Sequence, residues 1–117
     1  MTLNKLEIAL LEFLIPQGSR PDILAKQLGC IEVVDRDYSG AGFFTTVKHS
    51  DKSPIVSHPY VSPFGSVLID SPELEHGGGA LVFMSLGKID FLEAYAYGDQ
   101  WPKKELKSFQ LKSASNP

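Results

Sequence analysis

Residues 31–49, IEVVDRDYSGAGFFTTVKH, are where the chain changes its period. Before them, apolar residues recur at helical spacing. From Ile31 onward, runs rich in β-branched and aromatic residues take over, and such runs favour strands. IEVVDRDY and FFTTVKH read as two strands joined by SGAG, a hairpin in which Gly40 and Gly42 permit the positive φ values a tight turn needs.

Upstream, NKLEIALLEFLIPQG (4–18) predicts a first helix. Leu3, Leu6, Leu10, Phe13 and Leu14 form one stripe, widened by Ile8, Leu11 and Ile15. Asn4 followed three residues later by Glu7 is a capping box, and Pro16 ends the helix by removing an N–H. SRPDILAKQLG (19–29) predicts a shorter second helix, capped by Ser19, with Pro21 in its first turn and Gly29 at its end. The short connection implies an antiparallel or steeply crossed helix pair.

Downstream, GSVLID (65–70) reads as a strand. ALVFMSL (80–86) is apolar almost throughout, as expected of a central strand covered on both faces. IDFLEAYAY (89–97) follows through a two-residue turn with Gly87 at its first central position, and SFQLK (108–112) reads as a short edge strand. Between them, SDKSPIVSHPYVSPFG (50–65) carries Pro54, Pro59 and Pro63, which exclude a central strand. Its Ile55, Val56, Tyr60, Val61 and Phe64 predict that it packs over the sheet or a partner. The expected architecture is α+β: one domain over 1–117, with two N-terminal helices packed on an antiparallel meander of about five to six strands.

Bulk chemistry excludes several functions. A net charge of −3 argues against a nucleic-acid partner, which selects clustered Lys and Arg. Lys103, Lys104, Lys107 and Lys112 form the one basic run, and Glu105 dilutes it. The single cysteine, Cys30, permits no internal disulfide, so a reducing compartment such as the cytoplasm is expected. At a helix–strand junction it reads as a small buried filler. LEIALLEFLI (6–15) is too short and too charged to span a bilayer, so no membrane role is expected.

Residues 70–81, DSPELEHGGGAL, contain an HGGG run like the oxyanion element of esterases. Each residue also has a structural reading: Ser71 as an N-cap, Pro72 in the first turn of a single helical turn, and Gly77 as its left-handed terminus. No G-x-S-x-G elbow accompanies the run, and the chain is too short for the sheet that holds one. His49, His58 and His76 show no zinc spacing, and no phosphate loop or dinucleotide fingerprint is present. The sequence therefore calls for no catalytic residue, no metal and no cofactor.

FLEAYAYGDQWP (91–102) holds the most distinctive chemistry. Strand alternation puts Phe91, Glu93, Tyr95 and Tyr97 on one face and Asp90, Leu92, Ala94 and Ala96 on the other. The first set, continued by Asp99 and Trp101, joins aromatic anchors to carboxylates. Glu93, Tyr95, Tyr97, Asp99 and Trp101 are accordingly the expected partner-binding residues.

SGAGFFT (39–45), ELEHGGGALVFM (73–84) and LEAYAYGDQWP (92–102) together resemble a group of small, largely uncharacterised bacterial proteins. Their pattern is G-x-G-F-[FY], E-H-G-[AG]-G and L-E-[GA]-[YF]-[TAS]-Y-G-[DE]-x-W-P. Ala94 replaces the more common Gly of the last block. More loosely, the chain is similar to small α+β immunity proteins found beside secreted or contact-dependent toxins. That resemblance implies a non-enzymatic, cytoplasmic protein that binds and neutralises a toxin domain. The alternative is a small-ligand-binding or enzymatic domain using the Glu93, Tyr95, Tyr97 and Trp101 face.

Overall fold

The structure is a computed structural model that describes residues 1–98 and 100–114. Helix α1 (Lys5–Leu14) begins at the expected capping box: the Asn4 side chain accepts from the Glu7 N–H, and the Glu7 carboxylate accepts from the Asn4 N–H. A 3-10 turn (Ile15–Gln17) carries the chain past Pro16 to α2 (Pro21–Gln27). Arg20, not Ser19, occupies the cap position of α2. The Ser19 hydroxyl instead accepts from the Val61 N–H and holds the proline-rich segment.

Six strands follow: β1 (Ile31–Tyr38), β2 (Gly42–His49), β3 (Leu68–Ser71), β4 (Leu74–Ser85), β5 (Lys88–Ala96) and β6 (Gln110–Lys112). They form one antiparallel sheet in the order β1-β2-β5-β4-β3-β6, with both helices packed on it. The α+β class is as expected. The meander is interrupted twice: β6 pairs with β3 rather than with β5, and β2 pairs with β5 rather than with β3.

Residues 50–67 make that crossing, along the end of the sheet. Phe64 exchanges two backbone bonds with Val82 of β4 at 2.9 and 3.0 Å, and Val56 and Phe64 enter the core. Buried Gln27 ties the crossing to the rest: its amide donates to the Pro54 and Gly87 carbonyls and its oxygen accepts from the Ile89 N–H. Ile55 and Val61 remain exposed.

Leu6, Leu10, Leu14 and Leu24 of the helices meet Val33, Phe43, Val47, Ala80, Val82, Ile89, Leu92 and Ala94 of the sheet. All the helical cover lies on that side, and the molecule is only 19 Å thick along its shortest axis, enough for two layers. ALVFMSL is therefore covered on one face rather than both. Cys30 is half-buried, with its Sγ 3.6 Å from the Lys26 carbonyl, and is not a core filler.

Two local expectations are overturned. Residues 71–79 form no helical turn: Ser71 closes β3, Pro72 and Glu73 make the turn, and the HGGG run lies inside β4. Three glycines give a helix little support, whereas strands on both sides offer ladder bonds. Gly77 does take φ +75, but for a bulge, in which Ile69–Ser71 on β3 faces Leu74–Gly78 on β4. The β4–β5 turn is centred on Leu86 and Gly87, with φ of +53 and +78. That is the pattern of a type I′ turn, not II′, and it places a leucine where asparagine or glycine is favoured.

Candidate partner-binding face

The sheet face turned away from the helices is built in rows. Opposed residues on neighbouring strands share a face, so the ladder fixes each row. Asp35, Thr46, Phe91 and Phe83 form one, and Asp37, Phe44, Glu93 and Leu81 the next. Gly42, Tyr95 and Gly79 form a third. Bulges at Val33/Asp35 and Phe83/Met84 bring the acidic and aromatic residues into register.

An aromatic cluster occupies the middle of this face. Phe83 and Phe91 stack with centroids 4.4 Å apart at 10°, and Phe44 lies 6.1 Å from Phe91. Tyr95 and Tyr97 meet edge to face at 5.8 Å. Gly79 makes room for both phenols, since a Cβ there would lie 2.8 Å from each hydroxyl oxygen. Burial raises the Tyr95 pKa, and neighbouring Tyr97 and Glu93 add to the effect. The three Phe rings, Leu81, Glu93 and Tyr95 are half-buried, and Tyr97 is exposed.

Charge on the face is uneven. Glu32 pairs with Lys48 at 3.2 Å and Asp70 with Lys112 at 2.9 Å. Asp35, Asp37 and Glu93 make no ion pair among the described residues.

Of the sequence-predicted site residues, Glu93, Tyr95 and Tyr97 come together here. Trp101 does not. It is 3 % exposed and sits edge-on to Phe43 at 5.3 Å, inside the core on the helix side. Its backbone N–H donates to the Gly40 carbonyl, which turns the chain inward after the strand. Asp99 lies outside the described residues. Sequence reasoning missed Phe44, Leu81 and Phe83 as members of the face. Strict alternation through ALVFM would have separated Leu81 and Phe83 from Ala80, Val82 and Met84, but a run apolar at every position hides that alternation.

The three sequence blocks that stood out meet beside this face. The Ala96 N–H donates to Ala41, the Tyr97 N–H to Gly77 and the Trp101 N–H to Gly40. Gly42 and Gly78 pass so close to β5 that a Cβ would lie 1.8 Å from the Ala94 oxygen and 2.3 Å from the Tyr95 oxygen, respectively. Close backbone approach therefore accounts for these glycines without chemistry.

The histidines occupy separate settings. His49 is held between the Ser53 hydroxyl (2.7 Å) and the Ile89 carbonyl (2.6 Å), His58 lies beside Tyr60, and His76 is exposed next to Glu75. Among the described residues no group of three His, Cys, Asp or Glu could hold a metal ion. Among them, too, no helix is long and apolar enough to cross a membrane. Comparison with protein-family models, curated proteins and solved structures finds no match to this chain.

Proposed function

We propose that this chain is a non-enzymatic protein-binding module that docks its partner on the open face of the sheet. In its most concrete form it is a cytoplasmic immunity protein that neutralises a toxin domain. The observation that carries the binding reading is the Phe44–Phe83–Phe91 cluster, left half-exposed on a face the helices do not cover. Large aromatic anchors beside polar groups are what a binding hot spot requires. Asp35, Asp37 and Glu93, which have no ion pair among the described residues, favour a basic partner, because complementary charge speeds encounter. The same carboxylates repel phosphate, which disfavours nucleic acid on this aromatic sheet. The toxin-directed part rests on the looser resemblance to small α+β immunity proteins.

The alternative, a small-ligand or catalytic site at Glu93, Tyr95 and Tyr97, calls for a cavity lined by those groups. Clefts of about 510, 540, 400 and 370 Å³ on the described surface are lined by other residues.

The test is to look for a toxin domain encoded beside this chain and to measure neutralisation of it and binding to it. Wild-type protein should protect cells and bind the domain. Phe91→Ser and Tyr97→Ala should retain the fold while raising the off-rate, with about 2 kcal/mol or more lost at a true anchor. Folded variants that protect as well as wild type would remove the open face from the interface. Absence of binding by the wild type would overturn the toxin reading.

A further inference from the structure

We infer that Glu93 and the rings around it form a receptor for one arginine side chain of the partner. The inference rests on the open face being the docking surface, and it names the chemistry at its centre. Glu93 lies directly opposite Phe44 on β2 and Leu81 on β4. Phe91 and Tyr95 flank it two residues away along β5, on the same face. By register the half-buried Glu93 thus stands among one aliphatic and three aromatic neighbours.

Three acids near the sheet are matched, Glu7 by Arg36, Glu32 by Lys48 and Asp70 by Lys112, whereas Asp35 and Asp37, like Glu93, have no ion pair among the described residues but lie on β1, to one side of the aromatic cluster. Glu93 makes no hydrogen bond or ion pair among the described residues, and its half-exposed side chain is open to water, which solvates its charge. A protein that covers this face must remove that water. An ionised carboxylate buried without a counter-charge is strongly unfavourable, so a partner that fits must deliver a cation to this point.

The surroundings select which cation. Rings of Phe44, Phe91 and Tyr95 offer flat faces and edges, and a guanidinium is planar, weakly hydrated and able to stack on them while bonding a carboxylate through two N–H groups. A lysine ammonium is a compact, strongly hydrated charge that gains less from such walls. Asp37, at the end of the same row, adds attraction at longer range.

The experiment titrates isotopically labelled protein with N-acetylarginine amide, N-acetyllysine amide and N-acetylcitrulline amide, following amide chemical shifts. Arginine amide should give saturable shifts centred on residues 44, 81, 91, 93 and 95, with lysine amide several-fold weaker and uncharged citrulline amide weakest. Glu93→Gln should weaken the arginine response about tenfold, or about 1.4 kcal/mol, at unchanged melting temperature. Scattered or unsaturable shifts with arginine amide would overturn the inference, as would an undiminished response in folded Glu93→Gln. A partner that docks on the face with equal affinity for wild type and Glu93→Gln would overturn it while leaving the docking surface intact. A partner that ignores the face while arginine amide still binds would do the reverse.

Discussion

The carboxylate of Glu7 and the guanidinium of Arg36 meet through two parallel hydrogen bonds of 2.7 Å each, joining helix α1 to strand β1 in the interior. Glu7 is fully buried and also accepts from the Thr45 hydroxyl and from the Asn4 N–H. One residue thus caps the helix, pins β1 and pins β2. Removing one partner of such a pair leaves the other charge stranded, so Arg36→Leu should cost about 3–5 kcal/mol. Adding Glu7→Gln to Arg36→Leu should recover a large part of that loss, because a neutral amide can still accept from Thr45 and Asn4. Urea unfolding of both single variants and the double variant measures the coupling.

Burial by itself would raise the Glu7 pKa, but the bonds from Arg36, Thr45 and Asn4 together outweigh it and hold the carboxyl below its ordinary value. A carboxyl whose folded pKa is depressed contributes its full stability above its unfolded pKa of about 4.3, and loses it as pH falls through the lower, folded value. Unfolding free energy should therefore drop across the acid limb below about pH 4.3. Glu7→Gln, less stable at neutral pH, should show a shallower drop. Parallel acid slopes in the two proteins would refute the assignment.

Leu86 sits at the tip of the β4–β5 hairpin with φ +53 and 88 % of its surface exposed. It buries little and holds a left-handed backbone that costs an L-residue about 1–2 kcal/mol. Leu86→Asn should stabilise the protein by roughly 1 kcal/mol, since asparagine favours this turn position. A raised melting temperature with an unchanged sheet spectrum is the expected readout.

The glycines of the sheet should differ sharply in tolerance. A methyl at Gly42 would meet the Ala94 backbone oxygen, whereas the nearest atoms to one at Gly79 would be the two tyrosine hydroxyls and the Tyr95 ring. Backbone cannot yield without breaking the ladder, whereas phenols can swing away. Gly42→Ala should lose about 3 kcal/mol or more, and Gly79→Ala only about 1 kcal/mol. Thermal melts of the two variants give the comparison directly.

Trp101→Ala should act on stability rather than on binding. The ring is buried against Phe43, and truncating such a side chain typically costs about 3–5 kcal/mol. Under conditions where the variant is still folded, partner affinity should stay close to wild type. A large affinity loss at retained fold would place Trp101 back in the interface.

Periodicity made the helices and most strands legible, because their signals are local. The Asn4–Glu7 box, Pro16 and the change at Ile31 each report on their own neighbourhood. The HGGG run was misread because its strand state depends on β3 and β5, which lie far away in sequence. Half of the candidate face was readable from the alternation in FLEAYAY. Trp101 was misplaced because its inward turn depends on a distant acceptor, the carbonyl of Gly40. Phe44, Leu81 and Phe83 were hidden for a related reason: only the layer arrangement tells which of two adjacent apolar residues faces the helices.

Pairing of β2 with β5 rather than β3 has a consequence for a chain emerging from the ribosome. The β1–β2 hairpin is complete once His49 has been made, but the strand that will cover the inner edge of β2 is not finished until Ala96. Throughout that interval the edge of Gly42–His49 offers unpaired N–H and C=O groups beside Phe43 and Phe44. An open, β-rich edge is a template for pairing with another chain, so nascent copies are most vulnerable while residues 50–87 are being synthesised. Stalling synthesis within that window should shift the product toward the insoluble fraction, and a lysine at Thr46, facing the open side of that edge, should relieve it.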